Sequence, residues 1–437
     1  MDFSFALITL LASFVVLFSL GLPLAFSLLF SSVLVITLDP ALELLVLPLK
    51  IYSGINSFLL LAIPGFMFAA LMMNRVGITE DIVRLSDLIV GRIKGGLSHI
   101  NVVSSMLMGG VSGSSTADVA GIGAILIPAM NKKGYSRGFS ASLTAASSSI
   151  GSIVPPSILM VIYGASANVS IGALFVAGYL PGILVGLQQL GIAWWYAHRT
   201  GIDPGTKLEI PLREKITILV RGLIPVSVIL VIIGGILTGV MTATESAAVA
   251  SVYVILVGLF VYRRITAAMI LDVAIETALL TAIVMFCVGT ATLFGWLLSF
   301  YGILDIAGDL FLTHASNPLV FLLLATLLFL FLGTFMDPAP AMLIFVPVLA
   351  AVASTIGADP LQLGILIVMA LAVGKITPPY GISLLLSCTI AEISLSKAMG
   401  WTLVFFGAFC LLLAAVILFP QITLFLPNLL VPELVGR

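Results

Sequence analysis

The chain has 437 residues, 61% of them hydrophobic and 8% charged, with a formal net charge of −1 and a mean hydropathy of +1.28. Soluble domains carry about 25% charged residues, so a soluble globular class is excluded, as are aqueous domains of any size. Near-neutral charge likewise gives no footing for nucleic-acid binding or a polybasic lipid clamp. An all-α polytopic membrane protein lying in the lipid bilayer is expected, and its 40 Gly and 21 Pro suit transmembrane helices.

Residues 3–20 and 22–38 are the first two expected spans, each near the ~20 residues that cross a bilayer, split by Gly21 and Pro23. The first basic residue is Lys50. The basic start of a signal peptide is therefore missing, and 3–20 is expected to be retained. Residues 41–55 mix Glu43 and Lys50 with leucines, as interfacial helices do. A third span over 57–74 leads into an expected charged loop, 75–94. Residues 97–130 are too long and too interrupted for one span, and predict a re-entrant hairpin with its tip at Ser112–Thr116. Lys132, Lys133 and Arg137 form a basic loop. A span over 139–164 is expected to break at Gly151–Pro156, and 171–197 to cross intact. The polar segment 198–221 is the expected linker between two halves, 1–197 and 222–437.

The second half repeats this order. Spans are expected over 222–237 and 244–262, an amphipathic interfacial piece over 263–276, and a span over 278–300. A loop with Asp305, Asp309 and His314 follows. A second hairpin, 318–353, has its tip at Gly333–Pro340, and a broken span, 361–387, and a last span, 399–426, complete the chain. Val76-Gly77-Ile78 also aligns with Tyr301-Gly302-Ile303. Cys287, Cys388 and Cys410 lie far apart in apolar segments without metal-ligand spacing. Trp194, Trp195 and Tyr196 read as an interfacial aromatic belt. Thr242 or Thr244 is expected to cap a helix, with Glu245 in its first turn.

Two polar stretches inside this oily sequence organise the rest. Gly109 to Asp118 is small and hydroxyl-rich and ends in a carboxylate; Gly333 to Pro340 is its looser echo around Asp337. Each Asp has a Pro ten residues on (Pro128, Pro347), and each stretch is followed by Gly-x-x-x-Pro-Pro, at Gly151–Pro156 and Gly374–Pro379. Bare backbone or a carboxylate at bilayer depth is costly, and such stretches line polar cavities. Ser112, Ser114, Ser115, Thr116 and Asp118, with carbonyls near Gly151–Pro155, offer oxygens for a hard cation. Thr334, Asp337 and Thr377, with carbonyls near Gly374, offer a second set. The competing readings are close helix packing for the small residues and a helix-cap role for Asp118. Lys375, deep in a span, either contacts an anionic substrate or pairs with an acid such as Asp337.

Each half holds five expected spans, so the second is inverted relative to the first, ten spans in all, with two hairpins and two interfacial helices. The resulting cytoplasmic loops (75–96, 131–138, 198–221, 263–264, 388–398) hold 15 of the 18 Lys and Arg residues, as positive-inside bias requires. Both termini then face outward. Inverted repeats with discontinuous helices mark secondary transporters.

The run Ser112–Asp118 with Gly151–Pro156, then Gly239–Ala248, then Gly374–Tyr380, resembles the large membrane subunit of TRAP (tripartite ATP-independent periplasmic) transporters, essentially over the whole chain. The resemblance implies an elevator-type, ion-transporter-like, Na⁺-driven permease of the bacterial inner membrane. It further implies a separate small four-helix membrane subunit, a periplasmic substrate-binding protein, and an organic acid as substrate: a C4-dicarboxylate, sialic acid, a keto acid or a sugar acid. On this pattern Na⁺, the coupling ion, is expected at Ser112, Gly113, Asp118, Gly151, Gly333, Thr334, Met336, Asp337, Gly374 and Thr377. The substrate is expected at Ser114, Ser115, Thr116, Ser152, Pro155, Pro156, Lys375, Pro378 and Pro379. A stand-alone Na⁺/dicarboxylate symporter is the alternative, with the motif at Gly239–Glu245 favouring the tripartite type. An intramembrane aspartyl protease needs paired carboxylates in motifs that surround neither Asp118 nor Asp337, and an enzyme is not expected.

Overall fold

With no water at bilayer depth, backbone N–H and C=O groups have to be satisfied within the chain. Among the described residues helices alone do this. The structure, a computed structural model, describes residues 3–203, 211–302, 317–379 and 381–435. The expected loop with Asp305, Asp309 and His314, Ile303 of the local alignment, part of the 198–221 linker and Tyr380 lie outside them.

The first part of the chain forms α1 (Phe3–Ser19), α2 (Leu24–Leu38), α3 (Val46–Ile55), α4 (Ala62–Val76) and α5 (Ile78–Val90). Hairpin 1 follows as α6 (Gly96–Ser112), α7 (Ser115–Asp118), a π-helical segment Val119–Gly123, and α8 (Ala124–Lys132). Its turn at Gly113 has φ +60°, the left-handed region that glycine adopts at least cost. Broken helix 1 comprises α9 (Arg137–Ser148), α10 (Ile150–Ile153) and α11 (Ile158–Ala167), bent by 43° at the break. Then come α12 (Ile171–Thr200), α13 (Leu212–Leu237), α14 (Ala243–Val257) and α15 (Ala267–Phe300). Hairpin 2 is α16 (Pro318–Gly333) and α17 (Pro338–Ile356), and broken helix 2 is α18 (Pro360–Gly374) and α19 (Ile382–Ala391). The chain continues through α20 (Leu395–Leu418) and α21 (Gln421–Leu430). Among the described residues seven helices are long and apolar enough to cross a membrane, or eight with the bent pair of broken helix 1 counted as one span. The protein is a polytopic, all-α membrane protein.

Two sets of packed helices frame the site, an outer and an inner group, which touch each other where α15 packs on α17 and α5 on α6. In the outer group α1 packs on α2, α15 on α2, α3 and α4, and α14 on α4. In the inner group the two halves of the chain interlock. Here α9 packs on α19 and α20, α11 on α17, and α10 on α18. Gly364 lies against the Tyr163 ring, and the Tyr163 hydroxyl donates to the Pro360 carbonyl at 2.7 Å.

Several expectations need correction. The stretch 75–94 is mostly helix rather than loop: Ile78, Ile82 and Leu85 are buried in α5 while Arg84 and Asp87 face outward, the 3.6-residue pattern of an amphipathic helix. Residues 263–276 are not a separate interfacial piece, because α15 runs unbroken from Ala267 to Phe300. No Gly or Pro interrupts its first five turns. Helix α13 starts at Leu212, so the polar 212–221 is helical rather than linker. The last span stops at Leu418, ahead of Pro420, and α21 is a separate helix. The aromatic belt is only partly one: Trp194 and Trp195 are exposed, but Tyr196 is buried and stacks on Phe139 with ring centroids 3.7 Å apart. Thr242 does cap α14 in a reciprocal capping box with Glu245, while the Thr244 hydroxyl donates to the Phe58 carbonyl. All three cysteines are free.

Candidate functional site

Glycine brings the polar stretches together in both halves. A Cβ on Gly109 would lie 2.9 Å from the Gly151 Cα, and one on Gly333 would lie 3.1 Å from the Gly374 Cα. Each hairpin therefore presses bare backbone against the break of its partner helix. At Gly113 a Cβ would lie 2.6 Å from the Pro156 carbonyl oxygen, so the tip of hairpin 1 rests on the Pro155-Pro156 corner.

Between the two tips lies a cavity of about 280 Å³. Hairpin 1 contributes Gly113, Ser114 and Thr116; hairpin 2 contributes Gly333, Met336 and Asp337; broken helix 2 contributes Lys375. Met67 of α4 and Leu280 and Val284 of α15 close it on the outer-group side. Ser114 and Thr116 share a hydroxyl–hydroxyl hydrogen bond of 3.1 Å. Among the described residues Lys375 is the one basic side chain in the wall. Its Nζ donates to Ser152 Oγ at 3.3 Å, and Ser152 Oγ pairs with Ser115 Oγ at 2.6 Å. This chain of contacts crosses from the second half of the sequence to the first. Ser115 and Ser152 thus sit behind the wall and orient the ammonium that faces the cavity.

A larger cavity of about 640 Å³ continues from this one, sharing Met67, Ser114, Thr116, Ile158 and Leu280. It adds Ser112 and runs to Asn74, Glu80 and Glu276, at the end of the molecule where Arg75 pairs with Glu276 at 3.0 Å. A third cavity of about 420 Å³, with Ser53, Ser57, Thr292, Trp296 and Ser299, lies toward the other end of α15. It shares no lining residue with the central one.

The two aspartates are not equivalent. Asp337 is the N-cap of α17, its Oδ1 accepting the Ala339 N–H at 3.1 Å. The N-cap of the matching turn in hairpin 1 is Ser114, so Asp337 corresponds to Ser114. Asp118 sits one turn further on, 1% exposed, and lines none of the three cavities above. Among the described residues neither of its carboxylate oxygens has a hydrogen-bond partner, nor do the buried hydroxyls of Ser104 on α6 and of Ser383 and Ser387 on α19. Helix α19 packs against α7 and the π-helical segment. Buried polar atoms are normally satisfied, and oxygens left without hydrogens to accept are what a hard cation coordinates. Asp118 is not a helix cap; the N-terminal turn of its helix belongs to Ser114.

The other expected site residues lie at helix ends and breaks. Thr334 Oγ1 donates to the Phe331 carbonyl and Thr377 Oγ1 to the Val373 carbonyl, each within its own helix end. Gly151 and Gly374 are backbone contact points, and Pro155-Pro156 and Pro378-Pro379, both cis, form the breaks. The sequence did not single out Met67, Leu280 or Val284, which read as ordinary core residues. Ser383 and Ser387 carried a usable signal: two hydroxyls four apart, on one face of a mostly apolar helix.

The chain matches the family described as tripartite ATP-independent periplasmic transporter, DctM component, over residues 11–422. It is 37% identical to the sialic acid TRAP transporter large permease protein SiaM of Vibrio cholerae, covering 94% of this chain and 95% of that one. It is 33% identical to the C4-dicarboxylate TRAP transporter large permease protein DctM of Pseudomonas aeruginosa, covering 87% and 89%. A Salmonella typhimurium protein, YgiK, is 36% identical over 99% of this chain and 100% of its own length. Among solved structures the YdaH transporter of Alcanivorax borkumensis shares the fold, with a TM-score of 0.55 at 14% identity, over 85% of this chain and 96% of that one. With a family match from residue 11 to 422 and relatives aligned almost end to end, the chain belongs to the DctM family of large permease subunits of TRAP transporters, and is a transporter component rather than an enzyme.

Proposed function

We propose that this permease takes up an organic acid coupled to Na⁺, with the acid delivered by a periplasmic substrate-binding protein and a small four-helix membrane subunit completing the complex. The observation that carries this reading is Lys375. The Lys375 ammonium, held by Ser152 in a wall that also carries hydroxyls and the helix-capping Asp337, suits a carboxylate: a charge-assisted hydrogen bond there is about twice as strong as a neutral one. Ser114 and Thr116 supply neutral hydroxyls beside it. Relatives named for sialic acid and for C4-dicarboxylates support an acid as cargo.

Na⁺ as co-substrate rests on the oxygens at Asp118, Ser104, Ser383 and Ser387 and on the backbone at the hairpin turns. Binding there would fix α7 and α19 and thereby the tip of hairpin 1 in the cavity wall. The inner group, α6–α12 with α16–α20, would move against the outer group in an elevator-type step, the two groups being the inverted repeats' transport and scaffold parts. The bacterial inner membrane, with the basic loops inside and both termini in the periplasm, is the matching location.

Uptake by proteoliposomes tests this. Transport is expected only with a Na⁺ gradient and a cognate binding protein. Uptake that persists without either overturns the reading.

A further inference from the structure

We propose that Arg84, Arg213 and Arg221 form a headgroup site for an anionic phospholipid at the end of the molecule that carries the basic loops. The three arginines line a cavity of about 420 Å³ between α5 and α13, with Asp81, Pro211, Glu214, Thr217 and Ile218. Arg213, Thr217 and Arg221 are spaced by four, so they form one stripe along α13, about 12 Å long. Arg84 faces them from α5, and the two helices are in contact where Gly222 meets Leu85.

Two carboxylates share the lining with the three arginines, which leaves one positive charge in excess. Asp81 is buried and its Oδ2 accepts the Tyr262 hydroxyl at 2.8 Å. Glu214 lies in the first turn of α13, where a negative charge is favoured by the helix dipole. Among the described residues none of the three arginines has a carboxylate within ion-pair distance. Three unpaired guanidiniums around one cavity match a phosphate, which Arg binds bidentately.

The surroundings favour a lipid over a free phosphate. Beside the stripe, α13 exposes Leu212, Ile216, Leu219, Val220 and Leu223, each at least 47% exposed. An acyl chain lying along this band places its headgroup at the arginines. A soluble anion would make no use of the band.

The test is thermal unfolding of delipidated, detergent-solubilised permease with added phosphatidylglycerol, phosphatidylcholine or inorganic phosphate at matched ionic strength. Phosphatidylglycerol is expected to stabilise the wild type. The double variant Arg213→Ala/Arg221→Ala, on exposed positions, is expected to bind it on the order of 30-fold more weakly. Phosphatidylcholine and inorganic phosphate are expected to leave both proteins unchanged. Equal stabilisation of wild type and double variant by phosphatidylglycerol overturns the site. Stabilisation by inorganic phosphate to the same extent overturns the lipid and leaves a soluble-anion site. Because this readout involves neither Na⁺ nor uptake, its failure is separate from failure of the transport reading.

Discussion

Gly374→Ala probes the contact on which the second hairpin depends. The added Cβ would run into the backbone of Gly333, its carbonyl carbon, Cα and oxygen together. Backbone cannot swing aside as a flexible side chain does. The clash is relieved only by separating α16 from α18, and overpacking of this kind costs about 1–3 kcal/mol. With backbone on both sides the upper end applies, and about 3 kcal/mol corresponds to a roughly 150-fold shift from docked to separated hairpin. Gly400→Ala is the control. Gly400 has no heavy atom within 4 Å of an added Cβ, so within α20 alanine gains up to about 1 kcal/mol of helix propensity. Thermal unfolding and binding-protein-dependent uptake, measured on both variants, decide the matter. Gly374→Ala is expected to lose uptake and thermal stability while Gly400→Ala keeps both. A Gly374→Ala protein with wild-type unfolding and uptake would refute the docked hairpin.

Lys375→Met keeps side-chain length but removes the charge. A hydrogen bond to a charged group contributes about 1.5–3 kcal/mol, so uptake efficiency should fall by roughly 10- to 150-fold; unchanged uptake would remove Lys375 from the substrate site. Asp118→Asn removes a charge whose oxygens have no hydrogen-bond partner among the described residues. The Na⁺ concentration for half-maximal uptake should rise by about 10- to 100-fold, the scale seen when groups supporting a metal are lost, and the protein should unfold at higher temperature in Na⁺-free buffer; an unaltered Na⁺ titration contradicts the assignment. Asp87 lies on α5, outside the membrane spans, and desolvation, then the neighbouring Asp203 charge, hold its carboxyl above the usual carboxylate range. A raised acid opposes folding once ionised, so its cost is absent below the unfolded value of 3.8 and grows as pH rises through the folded pKa. Asp87→Asn should therefore stabilise at pH 7 and make no difference below pH 4, and an equal benefit at both pH values counts against this environment.

The hairpins and breaks were legible because Gly, Ser and Pro interrupt apolar runs where a bilayer tolerates no loose backbone. The fine structure of the tips was not. Asp118 and Asp337 each stand ten residues before a proline, yet only Asp337 is an N-cap; spacing along the chain does not report where a turn places the first helical residue. Helix α5 was hidden by its charges, although Ile78, Ile82 and Leu85 keep helical spacing. The unbroken α15 was hidden by Asp272 and Glu276, which suggested an interface where only a long helix with a polar first part exists. Side chains that meet from distant sequence, as Lys375 does with Ser152 or Tyr196 with Phe139, leave no local trace.

The central claim is that both chain interruptions open onto one polar cavity inside the membrane. Thr116→Cys and Met336→Cys, introduced singly with the native cysteines replaced, place a thiol on each hairpin tip. A charged, water-soluble thiol reagent is expected to label both positions, and Na⁺ with the substrate is expected to protect both together. Labelling of neither position, or protection of one tip without the other, would contradict a shared cavity.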